Sequence, residues 1–537
     1  MHTLLTLSIL TLKALVAPAS TLDVVTTAGT YRGVSVSNGT ERWLGIPFAQ
    51  TPVGGLRFKA PVPLAEPAIG VQVADTFGDA CPQPARSTLG APISEDCLHL
   101  NIWRPRGTPA DAKLPVLFYI HGGFFMIGAS SDHTFDPTRI IQRSVDNGRP
   151  IMFASANYRL NSFGFLASAN VPEADLNVGF QDNRAALESI QDNIEAFGGD
   201  PGKVTLWGQS AGGGAVETQL VYPSQRDLFR AVITDSSTGP FKTSPSPAVF
   251  DQEGMTYSSL LKAVDCPSGE ASFQCLQGAD FKTFMNASNA LIKATMNDHI
   301  WEPVLAAGNF ISERSSVRIA NGNFSRVPII AGSNLNDGSR FSTTTRNQNL
   351  TGAAQDDAFS KYILAASLID TSKVTPDLLD KIHKVYPQND TSLGAPFNTG
   401  DSLYDRSSAF YGDNAYTAPR RRLLKKAAGT QKVWGYRFDE FITGADARLG
   451  VAHGSELSFL FGPVLANESV DFANMYLDFY LNFVTDLNPG DGWEPYTAHN
   501  PMVLRLKSND TKMIDDDFWN ARLNLLNTHR FLDEFIR

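Results

Sequence analysis

Six short apolar runs punctuate the chain, at 114–120 (LPVLFYI), 151–155 (IMFAS), 204–207 (VTLW), 230–234 (RAVIT), 327–331 (VPIIA) and 433–438 (VWGYRF). None alternates strictly between apolar and polar positions. Short continuous runs of this kind suit strands covered on both faces, as in a parallel sheet. Between them lie stretches with helical spacing. The clearest is 183–197, where Ala186, Leu187, Ile190, Ile194 and Phe197 recur at intervals of three and four. Strands alternating with helices predict an α/β fold with a mostly parallel central sheet flanked by helices. In such sheets reactive groups sit on the loops beyond the carboxyl ends of strands, so the chemistry should follow these runs.

The most distinctive segment follows the third run. Gly208-Gln209-Ser210-Ala211-Gly212 is the one G-x-S-x-G of the sequence, and a segment rich in Ala and Gly continues from it. Glycine- and serine-rich chains produce this pentapeptide by chance, and a turn serine is its plain reading. Its position between a strand and a helix start is the setting of a nucleophile elbow, which marks Ser210 as a nucleophile candidate. A serine hydroxyl needs a base, and the base needs an acid to orient it, in the chain order Ser, Asp/Glu, His. Asp337 lies in the loop after the 327–331 run, although Asn-Asp-Gly is also an ordinary turn sequence. Of the histidines beyond it, His383, His453, His499 and His529, only His453 follows a strong strand closely. The triad candidates are therefore Ser210, Asp337 and His453. The first run ends in His121-Gly122-Gly123, so the backbone N–H groups of Gly122, Gly123 and Ala211 are candidates for an oxyanion hole.

Composition narrows the partners. A hydrophobic share of 42% over 537 residues supports a large core, and a net charge of −10 argues against nucleic acid. Residues 4–12 form an apolar stretch, and Ala17-Pro18-Ala19 fits a small-x-small cleavage site before Ser20. We read 1–19 as a secretory signal peptide, with an amphipathic helix as the competing reading. The apolar run is too short to span a bilayer, so no stable membrane insertion is expected. Four cysteines, Cys81, Cys97, Cys266 and Cys275, permit three pairings. Pairing in chain order closes two short loops, and their spacing lacks the CxxC pattern of a zinc site. Seven N-x-S/T sites, at Asn38, Asn286, Asn323, Asn349, Asn389, Asn467 and Asn509, are glycosylation candidates in a secreted protein.

Longer blocks point to a family. FGGDPGKVTLWGQSAGG (197–213), EDCLHLNIWRP (95–105), GIPFAQTPVGGLRFKAPVP (45–63), ANYRLNSFGFL (156–166) and GVAHGSELSFLFG (450–462) together make the sequence resemble the type-B carboxylesterase/lipase family. The resemblance implies an α/β-hydrolase fold, one catalytic domain over 20–537, and disulfides Cys81–Cys97 and Cys266–Cys275. It also implies ester hydrolysis by Ser210, Asp337 and His453 without metal or organic cofactor. Three departures from the family pattern bear on the substrate. Gln209 stands where Glu is usual, and Asp337 is one methylene shorter than the usual Glu. The loop between Cys81 and Cys97 has only fifteen residues, with one Leu, one Ile and no aromatic. It is too short and polar for a lipid-binding lid and lacks the family's choline-binding Trp. The expected activity is that of a secreted serine esterase on accessible alkyl or aryl esters such as feruloyl esters. The alternatives are a lipase or sterol esterase, and a non-catalytic adhesion or interaction homologue.

Overall fold

A computed structural model describes residues 22–537, so the expected signal peptide lies outside the described residues. Eleven strands form the main sheet. In chain order they are β1 (Val34–Ser35), β2 (Thr40–Pro47), β3 (His99–Pro105), β4 (Leu114–Ile120), β5 (Met152–Ala156), β6 (Gly199–Gln209), β7 (Ala231–Asp235), β8 (Ile329–Asn334), β9 (Val433–Phe438), β10 (Met502–Leu506) and β11 (Lys512–Asp515). Their spatial order is β11-β10-β9-β8-β7-β6-β4-β5-β3-β2-β1. From β5 through β10 every neighbouring pair is parallel. The remaining pairs, toward both edges, are antiparallel. A separate three-stranded sheet joins Asp23–Thr26, Gly29–Arg32 and Ala68–Val73.

The six apolar runs are the six central strands, β4 to β9. Both of their faces are covered, which is why their sequences do not alternate. Val116, Phe118, Ile120, Val204, Leu206 and Val232 point into one core. Leu117, Tyr119, Trp207, Ala231 and Ile233 point into the opposite one. The strands outside this block, most of them paired antiparallel, went unread because polar residues are interleaved in them, as in TERWLGIP and KMID. The helix expected over 183–197 runs over Val178–Asn193 and ends in a tighter turn, Ile194–Phe197. Its first turn escaped the apolar pattern because Asp182 is buried there. That carboxylate accepts from the backbone N, Nε and Nη2 of Arg159 at 2.7 to 2.9 Å, fixing the loop beyond β5.

Cys81 is bonded to Cys97 and Cys266 to Cys275, with Cα separations of 5.0 and 5.7 Å. The fifteen-residue loop closed by the first bond contains no helix. Its one leucine, Leu89, is buried against Ala80 and Ala129, with Ile93 alongside. Gln83 ties the loop to Gly128 by two hydrogen bonds of 2.8 Å. The few apolar side chains of the loop thus face inward, and it offers no broad apolar surface. Six of the seven sequon asparagines are exposed. Asn38 is half-buried, and its Nδ2 donates to Thr138 Oγ1.

Candidate active site

Ser210 sits between β6 and the helix Ala211–Val221 with φ +60° and ψ −127°, a backbone conformation that costs a non-glycine residue about 1–3 kcal/mol. Its neighbours make that conformation possible. A Cβ on Gly208 would lie 2.3 Å from the Gly212 carbonyl oxygen, and one on Gly212 would lie 2.0 Å from that of Ile120. The turn is therefore too tight for any side chain at either glycine. The Ser210 N–H donates to the Asp235 carbonyl at 2.8 Å, and the Ser210 carbonyl accepts from Gly214 N at 2.9 Å. The residue is pinned from both sides.

The loop after β4 lies directly against this turn. A Cβ on Gly122 would come within 2.7 Å of the Gln209 carbonyl oxygen and 3.0 Å of Ser210 Cβ. His121 is buried and neutral, because burial pulls its imidazole down to about 4. Its Nδ1–H donates to the Gly122 carbonyl at 2.9 Å, which fixes the following peptide plane. In a planar trans peptide the Gly123 N–H points opposite to that carbonyl.

The loops after β8 and β9 bring the other two candidates together. Asp337 Oδ1 accepts from His453 Nδ1 at 2.8 Å. The aspartate also accepts from Ser236 Oγ at 2.9 to 3.0 Å and from Asn334 N at 2.7 Å. The shorter acid reaches the imidazole because the two loops are clipped. Asn336 N donates to the Val451 carbonyl at 3.0 Å, Val451 N donates to Asn336 Oδ1 at 3.1 Å, and Asn334 Nδ2 donates to the Ala452 carbonyl at 2.9 Å. Tyr416 stacks on the His453 ring, with centroids 4.5 Å apart, and Phe341 meets it edge-on at 5.2 Å. Gln209 Nε2 lies 3.4 Å from His453 Nε2, so a neutral amide stands beside the nitrogen that faces the elbow.

Sequence reasoning missed several of these partners. Ser236 sits just past the carboxyl end of β7, where the rule that chemistry follows strands could have found it. Tyr416 lies in a π-helical turn, Asp413–Thr417, that joins two α-helices. Such turns occur often at functional sites but leave no mark in residue spacing. Glu456 lies three residues after His453 and is buried behind the acid. His383, His499 and His529 lie apart from this site; His383 pairs instead with Ser360.

A narrow cavity opens beside the elbow. It is lined by Ser210, Ala211, Phe124, Phe125, Thr238, Lys242, His299, Glu302, Tyr411 and Tyr416, with about 330 Å³ of space between atoms, most of it too narrow for a water molecule. The rest is room for about one water.

The model of the carboxylesterase family matches residues 20–525. The chain belongs to the carboxylesterase family. Secreted lipase 1 of Botryotinia fuckeliana is 31% identical, over 94% of this chain and 92% of the relative. Secreted triacylglycerol lipase LIP1 of Gibberella zeae is 30% identical, over 93% and 89%. The crystal structure of EstA from Aspergillus niger superposes with a TM-score of 0.81 at 26% identity, covering 96% of this chain and 99% of that one. The architecture is accordingly the α/β-hydrolase fold, and this family member is a carboxylic ester hydrolase.

Two predictions come from the charges around His453. Behind the Asp337–His453 pair lie two further buried carboxyls. Burial, with the nearby Asp235 and Asp337 charges, pushes Glu456 up to about 8. Burial raises Asp235 to about 6 against its hydrogen bonds from Tyr480 and Trp207. Both folded values exceed the unfolded ones, near 4.3 for Glu and 3.9 for Asp. Their stabilising contribution is thus complete below about pH 4 and is lost as pH rises through 6 and then 8. The urea midpoint should fall between pH 5 and pH 8, and Glu456→Gln should flatten the part of that fall above pH 6. The second concerns Gln209. Gln209→Glu places a carboxylate beside His453 and should raise the kcat/KM ratio of a choline ester over its neutral 3,3-dimethylbutyl counterpart. The expected rise is about three- to tenfold, the effect of ~1 kcal/mol between charges at this range. An unchanged ratio would remove Gln209 as a determinant of leaving-group charge.

Proposed function

We propose that the protein is a secreted serine esterase with Ser210, His453 and Asp337 as its catalytic triad. The clamped Asp337–His453 hydrogen bond is the observation that carries this reading. It fixes the imidazole with Nδ1–H bound and Nε2, contacted at 3.4 Å by the Gln209 amide, as the acceptor that a general base requires. Ser210 Oγ attacks the ester carbonyl carbon while His453 Nε2 takes its proton. The N–H groups of Gly122, Gly123 and Ala211 hold the tetrahedral oxyanion. As that intermediate collapses, His453 passes the proton to the leaving alcohol. Water then attacks the acyl-enzyme by the same route. No step calls for a metal or an organic cofactor. Residues 20–537 act as one catalytic domain, because β2 to β10 all contribute to the sheet that carries the site.

Secretion is supported by the apolar leader sequence, by the two disulfides and by the printed names of the fungal relatives. Among the described residues no helix is long and apolar enough to cross a membrane. For the substrate we favour accessible alkyl and aryl esters such as feruloyl esters, because the Cys81–Cys97 loop is short and turns its apolar residues inward. A lipase is the second reading, favoured by relatives named as lipases at 30–31% identity. The adhesion reading is the weaker because the chain keeps a candidate for every catalytic role.

Replacing Ser210 with Ala should reduce kcat for p-nitrophenyl acetate by about 10⁴-fold or more and abolish labelling by a fluorophosphonate probe. Hydrolysis that survives the substitution would place the nucleophile elsewhere. Specific activity should also be lower on emulsified triolein than on dissolved p-nitrophenyl butyrate, with no jump as a lipid substrate passes its solubility limit. Such a jump would identify a lipase.

A further inference from the structure

The cavity beside Ser210 is not a plain apolar acyl pocket. Lys242 and Glu302 line it, and each is no more than 5% exposed. Lys242 Nζ forms an ion pair with Glu302 Oε1 at 3.7 Å, longer than a hydrogen bond, and stands 5.7 to 5.9 Å from the ring centroids of Tyr411 and Phe124. Among the described residues neither Lys242 Nζ nor Glu302 Oε2 has a hydrogen-bond partner. Glu302 Oε1 is already taken by His299 Nε2. Against the burial that would raise it, His299, Lys242 and Arg537 hold the Glu302 carboxyl below its ordinary range. Burial lowers Lys242, and the Glu302 charge opposes that. The pair therefore presents one open donor and one open acceptor, side by side.

Burying such atoms without hydrogen bonds is costly, whereas a bound ligand that fills the open donor and acceptor recovers the cost. A carboxylate on the ligand would suit Lys242 but would be repelled by Glu302. An aliphatic chain would leave both unpaired. A hydroxyl both donates and accepts, so it matches the two together. The cavity lies on the acyl side of the nucleophile. Its lining includes Ser210 and Ala211 but neither His453 nor Gln209. On the mechanism above the leaving oxygen must face His453, so the acyl group points the other way.

We propose that Lys242 and Glu302 form a polar subsite that selects esters whose acyl group carries a hydroxyl. The proposal rests on the serine esterase reading and names its substrate class. In the bound state the substrate hydroxyl accepts from Lys242 Nζ and donates to Glu302 Oε2. Because the cavity has room for about one water, the flexible Lys242 chain and the adjoining aromatic rings shift as the acyl group enters. Rotamer changes of that kind are common on binding.

The test compares pairs of methyl esters that differ by a hydroxyl in place of a methyl group. These are 3-(4-hydroxyphenyl)propanoate against 3-(4-methylphenyl)propanoate, its 3-substituted isomers, and 3-hydroxybutanoate against 3-methylbutanoate. Monomethyl succinate serves as the anionic arm, and p-nitrophenyl acetate reports on the triad alone. A site built to bond a hydroxyl discriminates strongly against the analogue that lacks it. At least one hydroxylated ester should therefore exceed its partner at least tenfold in kcat/KM. Within Lys242→Met and Glu302→Gln, that ratio should fall to about threefold or less. The proposal is overturned if every pair reacts equally in the wild type, if both variants keep the full preference, or if monomethyl succinate outpaces all the hydroxylated esters. Should p-nitrophenyl acetate be hydrolysed through Ser210 while the pairs react alike, only the subsite fails. Should Ser210→Ala still hydrolyse the acetate, the esterase reading fails first.

Discussion

The backbone of Ser210 sets the terms for the rest of the site. A non-glycine residue at φ +60° and ψ −127° persists only where its surroundings leave it no alternative. Here those surroundings are backbone. Gly208 and Gly212 let the strand fold back on its own helix, Gly212 touches the end of β4, and Gly122 lies against the serine from the loop that follows. Each contact needs β4, β6 and β7 to be adjacent and parallel, with their carboxyl ends level. That register is held by two apolar layers, one on each face of the sheet. The geometry of the elbow is thus a consequence of how the core packs, and a change in strand order would dissolve it.

On either side of that serine the protein buries charge, in two arrangements with different chemical character. Behind His453 the charges are all carboxyl, and hydrogen bonds distribute them. Asp337 accepts from Ser236, Asn334 and His453, and Asp235 accepts from Trp207 and Tyr480. These groups position the imidazole, and their oxygens are largely occupied by protein donors. In the cavity the arrangement is an ammonium, a carboxylate and an imidazole, and it remains incompletely paired. A mostly bonded network serves orientation, whereas an ion pair with open positions facing a cavity is suited to a ligand.

The sequence disclosed those parts whose physics is local. Strands β4 to β9 were visible because burial on both faces leaves apolar runs, and the elbow because tight backbone contact demands glycine. Asp337 and His453 followed from chain order and from lying past strand ends. What stayed hidden was made by tertiary contact. Nothing in the spacing of Lys242, His299 and Glu302 says that they meet beside Ser210. Nor does the 413–417 segment announce the π-helical turn that sets Tyr416 on His453. The antiparallel strands at the sheet edges, β2 and β11 among them, escaped for the opposite reason. Each is short or polar enough to pass for a loop.

These features bear on how far the names of relatives should be carried. Identity near 30% is a property of the whole chain and does not report on the few residues that meet the acyl group. Substrate choice is made by the cavity wall and by whatever covers it. A long alkyl chain gains roughly 0.8 kcal/mol for each methylene it buries, but it offers nothing to the open Lys242 Nζ donor or the open Glu302 Oε2 acceptor. Seating it over Lys242 and Glu302 would leave their open hydrogen-bonding positions unfilled. The penalty for a buried polar group left without a hydrogen bond, about 1–3 kcal/mol, is equivalent to the gain from about one to four methylenes. The inward-turned Cys81–Cys97 loop adds no apolar surface to offset it. Wall and cover therefore argue in the same direction, toward compact, hydroxylated acyl groups delivered from solution.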